Sequence, residues 1–506
     1  MQKESTQLTI SRYLTEIRKS ANSFSNEQIA HISNQAVSLF FEYFQSHNMI
    51  LREAIQLLCE ISTHPDPKIA TLGTQTLFPH LIERLNDAFD PSYCEVYDRL
   101  FSQVISFCRA IPEGKDLHFA LNSFGLTNEN AILDRRKSIS DSTSQIDLNQ
   151  PIKKILVLSR ITIGADVSIT SVILSHLKQL FPQAELVILG PAKLAELFSN
   201  EPRIRVKPIH YGRTETLLSR LLNWLEAVAA IQAEISTLSS NEFYLFDPDS
   251  RLTQLGLLPL VQPQNENSNY FYFESRKFSS PGIEKLGQLT SQWMTEITGT
   301  DLQQFPFISL SPQVSSMGSD LADWFRSPAK QRIVFLSFGF GGNSIKRVSE
   351  YFETAISHRL CESNKLFIDS GATNTETTQV ETILTSLATA GKSILRLNEN
   401  NIFTNLSSAL APIDVIAWQG SIGYFASLLA ASDFYLGYDS AGQHLAAALG
   451  VPSLTVFVNS GNERFSKRWQ PWGQGKPETF LLDPCHDFSQ SQIIADVLGK
   501  VVGALG

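Results

Sequence analysis

Cysteine is scarce in this chain of 506 residues, and its five cysteines are far apart. None belongs to a CxxC pair, so the sequence indicates neither a zinc cluster nor a disulfide framework, and we expect reduced thiols in a cytoplasmic protein. The five are Cys59, Cys94, Cys108, Cys361 and Cys485.

Positive charge is also in short supply, since 41 Lys and Arg face 50 Asp and Glu, for a formal net charge of −9. A protein that binds nucleic acid without sequence preference needs cationic side chains to displace counterions from phosphates. We therefore expect no nucleic-acid partner, and an anionic ligand must be held by a local site.

Long apolar segments are missing as well. No window of about 18 apolar residues exists, so we expect no membrane-spanning helix, although a peripheral contact at the inner membrane stays open. The first 19 residues are polar and mixed in charge, without the apolar core of a signal peptide. The sequence therefore gives no indication of export.

What is present is an ordinary globular composition, with 43% hydrophobic and 18% charged residues. Helical spacing of apolar residues over 11–121 predicts five or six helices, with breaks near residues 46–48, 63–67 and Pro91. We expect a helical domain over 1–136 that packs, forms a homo-oligomer or holds a protein partner, with direct substrate binding as the alternative. Residues 137–151, rich in Ser, Asp and Gln, are predicted to be a linker.

After residue 151 the pattern changes to short apolar runs separated by helical stretches. The first series predicts strands over 155–158, 186–189, 204–206, 243–246 and 270–273, with a helix beginning at Val167 and another over 214–233. The second predicts strands over 333–338, 366–368, 394–397, 415–418, 434–436 and 454–457. We expect two doubly wound α/β domains, 152–325 and 326–506, that bind ligands at the carboxyl ends of their strands.

A turn of small residues at 439–442 is the strongest chemical signal. Asp439, Ser440, Ala441 and Gly442 end a predicted strand, and an Ala-rich helix follows at once. Free amide groups and the positive end of the helix dipole favour an anion there, and the Ser440 hydroxyl adds a donor, which would suit a diphosphate. The alternative is a simple N-capped helix.

The stretch Asp439 to Leu449, DSAGQHLAAAL, resembles the D-[ST]-x-x-x-H-x-x-A-A-L motif of glycosyltransferase family 9, the heptosyltransferases, with His444 in the histidine position. Residues 153–189 are similar to the opening strand, Gly-Asp loop and first helix of that family. The resemblance covers 152–505 and leaves out 1–150. It implies a GT-B fold, an inverting sugar transfer from a nucleotide-activated donor, typically ADP-heptose, and no obligatory metal or other cofactor.

The resemblance also implies residue roles. Asp166 matches the carboxylate that acts as general base on the acceptor hydroxyl, with helix capping as its alternative. Lys346 matches a lysine on the donor phosphates, in a loop where Gly339, Gly341 and Gly342 allow a tight turn, and Arg347 is its rival. Asp439 and His444 would order the turn or contact the donor.

Two further segments follow predicted strands. Asp247, Asp249 and Arg251 lie at the strand edge that the resemblance places near the acceptor, and a capping turn is the alternative. A second set, Trp418, Gly420 and Ser421, would hold the base or sugar of the donor, with a core-packing tryptophan as the alternative.

Three departures from the family pattern leave the donor open: Ala165 between Gly164 and Asp166, Ala441 before Gly442, and Arg347 at a frequently aromatic position. The acceptor stays open among a glycan, a glycolipid and a protein. Three functions remain: an active transferase, an inactive nucleotide-sugar-binding protein that works through a partner, and a nucleotide-sugar epimerase.

Overall fold

A computed structural model describes residues 2–20, 24–142, 144–212, 215–326, 331–341, 343–402, 412–458, 462–482 and 489–505. Contacts divide the chain into two compact units. The first unit comprises Met1–Ile161, Leu189–Pro191 and Lys207–Phe278, and the second comprises Thr162–Ile188, Ala192–Val206 and Ser279–Gly506. The predicted domain boundaries stay predictions.

The chain is helical up to Asp141. The α-helices are α1 (Gln2–Ser20), α2 (Asn26–His47), α3 (Arg52–Ser62), α4 (Pro67–Thr76), α5 (Glu83–Asn86), α6 (Pro91–Ala110), α7 (Lys115–Ser123) and α8 (Glu129–Asp141), with a π-helical turn at Leu77–Ile82 and a 3₁₀ turn at Pro112–Gly114. Pro67 and Pro91 are first residues of helices capped by Asp66 and Asp90, as expected where the missing N–H costs nothing. The helices are more numerous than predicted, and α8 occupies the first five residues of the predicted linker.

Five parallel strands form the first sheet, in the order β3-β2-β1-β4-β5. They are β1 (Lys154–Leu158), β2 (Glu185–Gly190), β3 (Ile204–Pro208), β4 (Phe243–Asp247) and β5 (Tyr270–Tyr272). The helices are α9 (Ile163–Ala165), α10 (Ser171–Leu180), α11 (Leu194–Leu197), α12 (Leu217–Ile235), α13 (Pro263–Asn269) and α14 (Leu286–Thr298), with a π-helical turn at Asp166–Thr170 and a 3₁₀ turn at Arg251–Thr253. In the first unit, β1 pairs with β4 in the register Ile155 to Tyr244.

Seven parallel strands form the second sheet, in the order β12-β11-β10-β6-β7-β9-β8. They are β6 (Ile333–Ser337), β7 (Lys365–Asp369), β8 (Ile394–Asn398), β9 (Val415–Gln419), β10 (Phe434–Tyr438), β11 (Ser453–Val458) and β12 (Glu478–Leu482). The helices are α15 (Pro312–Arg326), α16 (Glu350–Leu360), α17 (Asn374–Thr389), α18 (Ile422–Ala430), α19 (Ala441–Leu449), α20 (Glu463–Arg468) and α21 (Gln490–Leu505), with a 3₁₀ turn at Ser344–Lys346. All predicted strands are present, and among the described residues β12, a largely exposed edge strand, is the one that was missed.

Two further expectations concern surface and thiol chemistry. Among the residues that the structure describes, no helix has both the length and the apolar character needed to cross a membrane. The four described cysteines are buried and unpaired, and Cys485 lies outside the described residues. The cytoplasmic location stays a prediction.

Candidate functional site

The order in which strands are added to the second sheet reverses between β6 and β10. Within this sheet β6 comes first along the chain; β7, β9 and β8 lie on one side of it, and β10, β11 and β12 lie on the other. The carboxyl ends of β6 and β10 therefore flank the switch point. Open α/β sheets bind ligands at such a point. The loop after β6 leads to Lys346, and Asp439 directly follows β10.

Lys346 and Asp439 meet across this switch point. The Lys346 ammonium lies 2.7 Å from Oδ2 of Asp439 and donates to the Asp439 carbonyl oxygen at 3.1 Å. The Lys346 side chain is 27% exposed. Since an ammonium has three donors, these two contacts hold it in place while one N–H remains to meet an anion.

Helix α19 begins directly after this ion pair. Its N-cap is Ser440, whose extended backbone (φ −150°, ψ −175°) presents no side-chain cap to the helix. Ser440 therefore holds the N-cap position, but the alternative in which the side chain of Asp439 or Ser440 caps the helix is wrong. The amide groups of the first turn have no capping side chain, as an anion site at a helix N-terminus requires.

Gly442 allows a close approach inside this turn. A Cβ atom at Gly442 would lie 2.2 Å from the Tyr435 hydroxyl and 2.8 Å from its Cζ, and one at Gly437 would lie 2.3 Å from the same hydroxyl. Tyr435 is fully buried, and burial raises the pKa of its hydroxyl, which lies beside Ser440. The ring of Tyr435 thus packs directly against the turn at Gly442.

We expect Gly442→Ala to destabilise the protein by about 1–3 kcal/mol, because the added methyl group overlaps a ring fixed in the sheet. Combining it with Tyr435→Phe should recover part of the loss, since the shortest contact disappears. Chemical denaturation measures both. Gly499→Ala, which meets nothing within 4 Å, is the control; an equal loss there would contradict the explanation.

His444 completes the first turn of α19 and is 4% exposed. Burial lowers its pKa to about 4; Asp439 opposes this shift, and Lys346 adds to it with the smallest effect of the three. The imidazole is therefore neutral at pH 7. Its ring lies edge-on to Trp469, with centroids 5.9 Å apart. A neutral buried imidazole fits a role in ordering the turn better than a role as a cation for phosphate.

Asp166 lies inside a helix that starts earlier than predicted. Thr162 is the N-cap, and α9, the π-helical turn and α10 follow one another from Ile163 to Leu180. Asp166 is 1% exposed, and its Oδ1 accepts the Thr170 hydroxyl at 2.9 Å. The capping alternative is wrong, because the helix begins three residues before Asp166. A π-helical turn starting at this residue is a feature often found at functional sites.

The two family-like motifs meet in the second unit. A Cβ atom at Gly164 would lie 3.1 Å from Cδ2 of His444 and 3.3 Å from Cα of Ala441. The residues that precede Asp166 therefore touch the first turn of α19. A side chain at 164 would separate these segments, which explains the glycine physically.

The prediction that Arg347 could replace Lys346 on the donor phosphates needs correction. Its guanidinium donates to both oxygens of Glu353, at 2.8 and 2.7 Å, and Glu353 also accepts the Tyr438 hydroxyl at 2.8 Å. This bidentate pair joins the loop to α16. Arg347 is therefore occupied and is no rival to Lys346.

The glycine loop also differs from the prediction. The amide groups of Phe340 and Gly341 donate to Oε1 of Glu376, at 2.9 and 3.0 Å, instead of being open to a phosphate. Burial raises the pKa of Glu376, but these hydrogen bonds and those from Ala372 and Thr373 outweigh it and lower the pKa. Gly341 adopts φ +63° there, and Gly342 lies outside the described residues.

Trp418 is a second correction. Its ring is 1% exposed and packs against Tyr424, and a Cβ at Gly420 would lie 2.8 Å from it. The covered ring favours the core-packing alternative. The amide of Ser421 donates to Glu399, and that of Gly423 donates to Glu196 at 2.8 Å, so carboxylates occupy the start of α18.

Asp247 and Asp249 are fully buried in the first unit, and each accepts hydrogen bonds from two hydroxyl groups of the protein, which contradicts direct acceptor binding. Asp247 accepts hydroxyl groups from Thr253 (2.6 Å) and Tyr270 (2.8 Å), and burial, partly offset by these bonds, raises its pKa to about 6. Asp249 faces Arg276, whose Nε lies 3.2 Å away. Burial raises the pKa of Asp249, but Arg276 and Arg160 outweigh it and hold the pKa at about 2.

Asp249 belongs to a buried network of three carboxylates and three arginines that joins the N-terminal helices to β1, β4 and β5. The ion pairs are Arg276–Asp249 (3.2 Å), Arg160–Asp249 (3.8 Å), Arg276–Asp98 (4.0 Å), Arg136–Asp98 (3.5 Å) and Arg136–Glu274 (2.6 Å). The charges balance. The helical region is therefore anchored to the first sheet through charge as well as apolar packing.

Arg251 is the one predicted acceptor residue that stays partly accessible. Its side chain is 30% exposed and lies 3.5 Å from Glu83 of α5. Ser250 caps the 3₁₀ turn that contains Arg251, so the capping-turn alternative is confirmed for this segment.

Sequence reasoning missed three polar residues at the switch point. Gln443 and Glu376 carry no motif of their own, and their importance follows only from their contacts with Asp439 and the glycine loop. Asp369, at the end of β7, accepts the Ser337 hydroxyl at 2.9 Å, and burial raises its pKa to about 6. A strand-end aspartate was the available signal. Among the described residues, no group of three or more His, Cys, Asp or Glu is placed to hold a metal ion.

Comparison with known proteins extends this picture. Residues 374–485 match the family described as glycosyltransferase family 9 (heptosyltransferase), which confirms the resemblance predicted from the donor turn. No curated protein matches the chain.

The chain is similar to several solved structures. A glycosyltransferase of family 9 from Veillonella parvula aligns with a TM-score of 0.50 and 12% identity over 72% of this chain and 99% of its own. ADP-heptose lps heptosyltransferase II from E. coli aligns at 0.45 and 14% over 70% and 100%, and E. coli heptosyltransferase WaaC with ADP-2-deoxy-2-fluoro heptose at 0.42 and 14% over the same shares. The first likeness confirms the predicted GT-B fold.

Proposed function

We propose that this chain is an inverting glycosyltransferase that moves a sugar, heptose being the first candidate, from a nucleotide diphosphate donor to a glycan, glycolipid or protein acceptor. One observation carries the proposal: the Gly164–Asp166 segment lies against the first turn of α19, with Gly164 beside Ala441 and His444. The proposed carboxylate base and the proposed anion site thus belong to one cluster in the second unit.

The proposed reaction is a single displacement. Asp166 takes the proton of the acceptor hydroxyl, the hydroxyl oxygen bonds to the anomeric carbon, and the bond from that carbon to the diphosphate breaks. The nucleoside diphosphate leaves with the electron pair. Inversion follows because the attacking oxygen approaches from the face opposite the leaving group.

Positive charge for the leaving diphosphate comes from the protein in this proposal. Lys346 supplies a cation, the first turn of α19 supplies amide groups and the helix dipole, and Ser440 supplies a hydroxyl donor. Such a set provides the charge stabilisation for which other transferases use a divalent cation, so we propose metal-independent transfer, in the cytoplasm.

Isothermal titration with ADP, UDP, GDP and ADP-heptose tests the proposal. We expect one nucleotide to bind, and Lys346→Ala to raise its Kd about ten- to a hundredfold, since a hydrogen bond to a charged group contributes about 1.5–3 kcal/mol. Lys500→Ala, which removes a lysine from an exposed ion pair with Glu478 at 3.1 Å, is the matched control.

Two results would count against the proposal. Failure of every nucleotide to bind would remove the donor site. Conversion of the donor into its epimer without an acceptor would favour an epimerase.

A further inference from the structure

Gln443 occupies a position that the family-like motif leaves variable. It lies in the first turn of α19 and is fully buried. Its Nε2 donates to Oδ1 of Asp439 at 2.8 Å, while Oδ2 of the same carboxylate meets Lys346 at 2.7 Å. One carboxylate therefore joins the glutamine to the lysine.

The orientation of the Gln443 amide follows from this contact. An ionised carboxylate only accepts hydrogen bonds, so the amide nitrogen and not the oxygen faces Asp439. The same nitrogen lies 3.4 Å from Nε2 of His444. An amide nitrogen only donates, so Nε2 of His444 accepts and the imidazole proton is on Nδ1.

The contacts of Gln443 do not serve stability alone. Its Oε1 is buried and has no hydrogen-bond partner among the described residues, which costs stability. An apolar side chain of the same volume would avoid that cost. We therefore explain the polar side chain by the hydrogen bond that its Nε2 donates to Asp439.

We propose that Gln443 is a positioning residue for donor binding, which fixes the Asp439 carboxylate so that Lys346 presents its ammonium to the donor diphosphate, and which sets His444 as the Nδ1–H tautomer. This inference rests on the proposed function. Without Gln443, Oδ1 of the nearly buried Asp439 loses its partner and the carboxylate is free to rotate. The partly exposed Lys346 side chain then moves with the carboxylate, away from the phosphate position.

The first test compares Gln443→Met with wild type by titration with pyrophosphate and with whichever of ADP, UDP and GDP binds to wild type. We expect a roughly tenfold weaker Kd for both ligands, about 1.4 kcal/mol. Gln379→Met is the matched control, because Gln379 of α17 is also a buried glutamine and neither of its side-chain polar atoms has a partner in the described part of the chain. Its Kd should equal that of wild type.

A double-mutant cycle shows whether Gln443 acts through the lysine. In a Lys346→Met background, Gln443→Met should change the Kd for the same nucleoside diphosphate by less than about twofold, since the group that it positions is gone. Independent, multiplicative effects of the two substitutions would overturn the inference.

The tautomer of His444 gives a readout that needs no nucleotide. We expect ¹⁵N chemical shifts of the wild-type imidazole to report Nδ1–H, and those of Gln443→Met to move toward Nε2–H. If wild type binds none of ADP, UDP, GDP and pyrophosphate, the proposed function fails. An unchanged His444 tautomer in the variant would separately overturn the role of Gln443.

Discussion

Asp166→Asn should abolish nearly all sugar transfer while leaving the donor bound. Loss of a general base lowers kcat by about 10²- to 10⁴-fold, because the acceptor oxygen must then attack while it still carries its proton. The asparagine keeps the shape of the side chain and its bond with Thr170, which lies 2.9 Å from Oδ1. The measurement is release of the nucleoside diphosphate, with an acceptor or with water as the attacking group.

The control for this prediction is Asp323→Asn on α15, which removes an exposed carboxylate 3.8 Å from Arg326 and should leave the rate unchanged. Donor titration of Asp166→Asn should give the wild-type Kd. A rate within about tenfold of wild type would assign the base to another group. Asp369, whose pKa burial raises to about 6, would then be the first to examine.

The fold was predictable because its signals are local. Buried parallel strands appear as short apolar runs, and the helices between them have helical periodicity, so all eleven predicted strands are present. The edge strand β12 gave no such signal, since only Leu482 of its five residues is buried. The helix at 163 was placed late because Gly164 and Ala165 resemble a loop, whereas Thr162 is its cap.

In the candidate site, too, the features with local sequence signals were predicted, and those that depend on distant partners were not. The donor turn was found because a strand, small residues and a helix follow one another within a few positions of the chain. The roles of Asp249 and Arg347 were missed because their partners decide them: Asp249 is paired with Arg276, 27 positions away, and that arginine pairs with Asp98 of α6. A strand-end carboxylate with such partners is structural, and spacing alone does not show this.

Asp249→Asn is expected to cost about 3–5 kcal/mol of unfolding free energy, because Arg160 and Arg276 stay buried while the carboxylate that both of them face loses its charge. The asparagine preserves the volume, and it tolerates the left-handed backbone of position 249 (φ +61°), so the loss of charge is isolated from strain. Chemical denaturation measures the difference. Glu381→Gln, which breaks an exposed pair with Arg396 at 2.7 Å, should cost at most about 1 kcal/mol.

Acid should reduce the difference in unfolding free energy between wild type and Asp249→Asn. The arginines hold the folded pKa of Asp249 at about 2, despite burial, whereas the unfolded value is about 3.9. The stability that this carboxylate contributes is therefore present above about pH 4 and is lost as the pH falls toward 2. If the difference in unfolding free energy stayed constant from pH 7 down through this range, the charge of Asp249 would not be its cause. The destabilisation would then come from the loss of hydrogen bonds that Asp249 accepts from Tyr272 and Ser275.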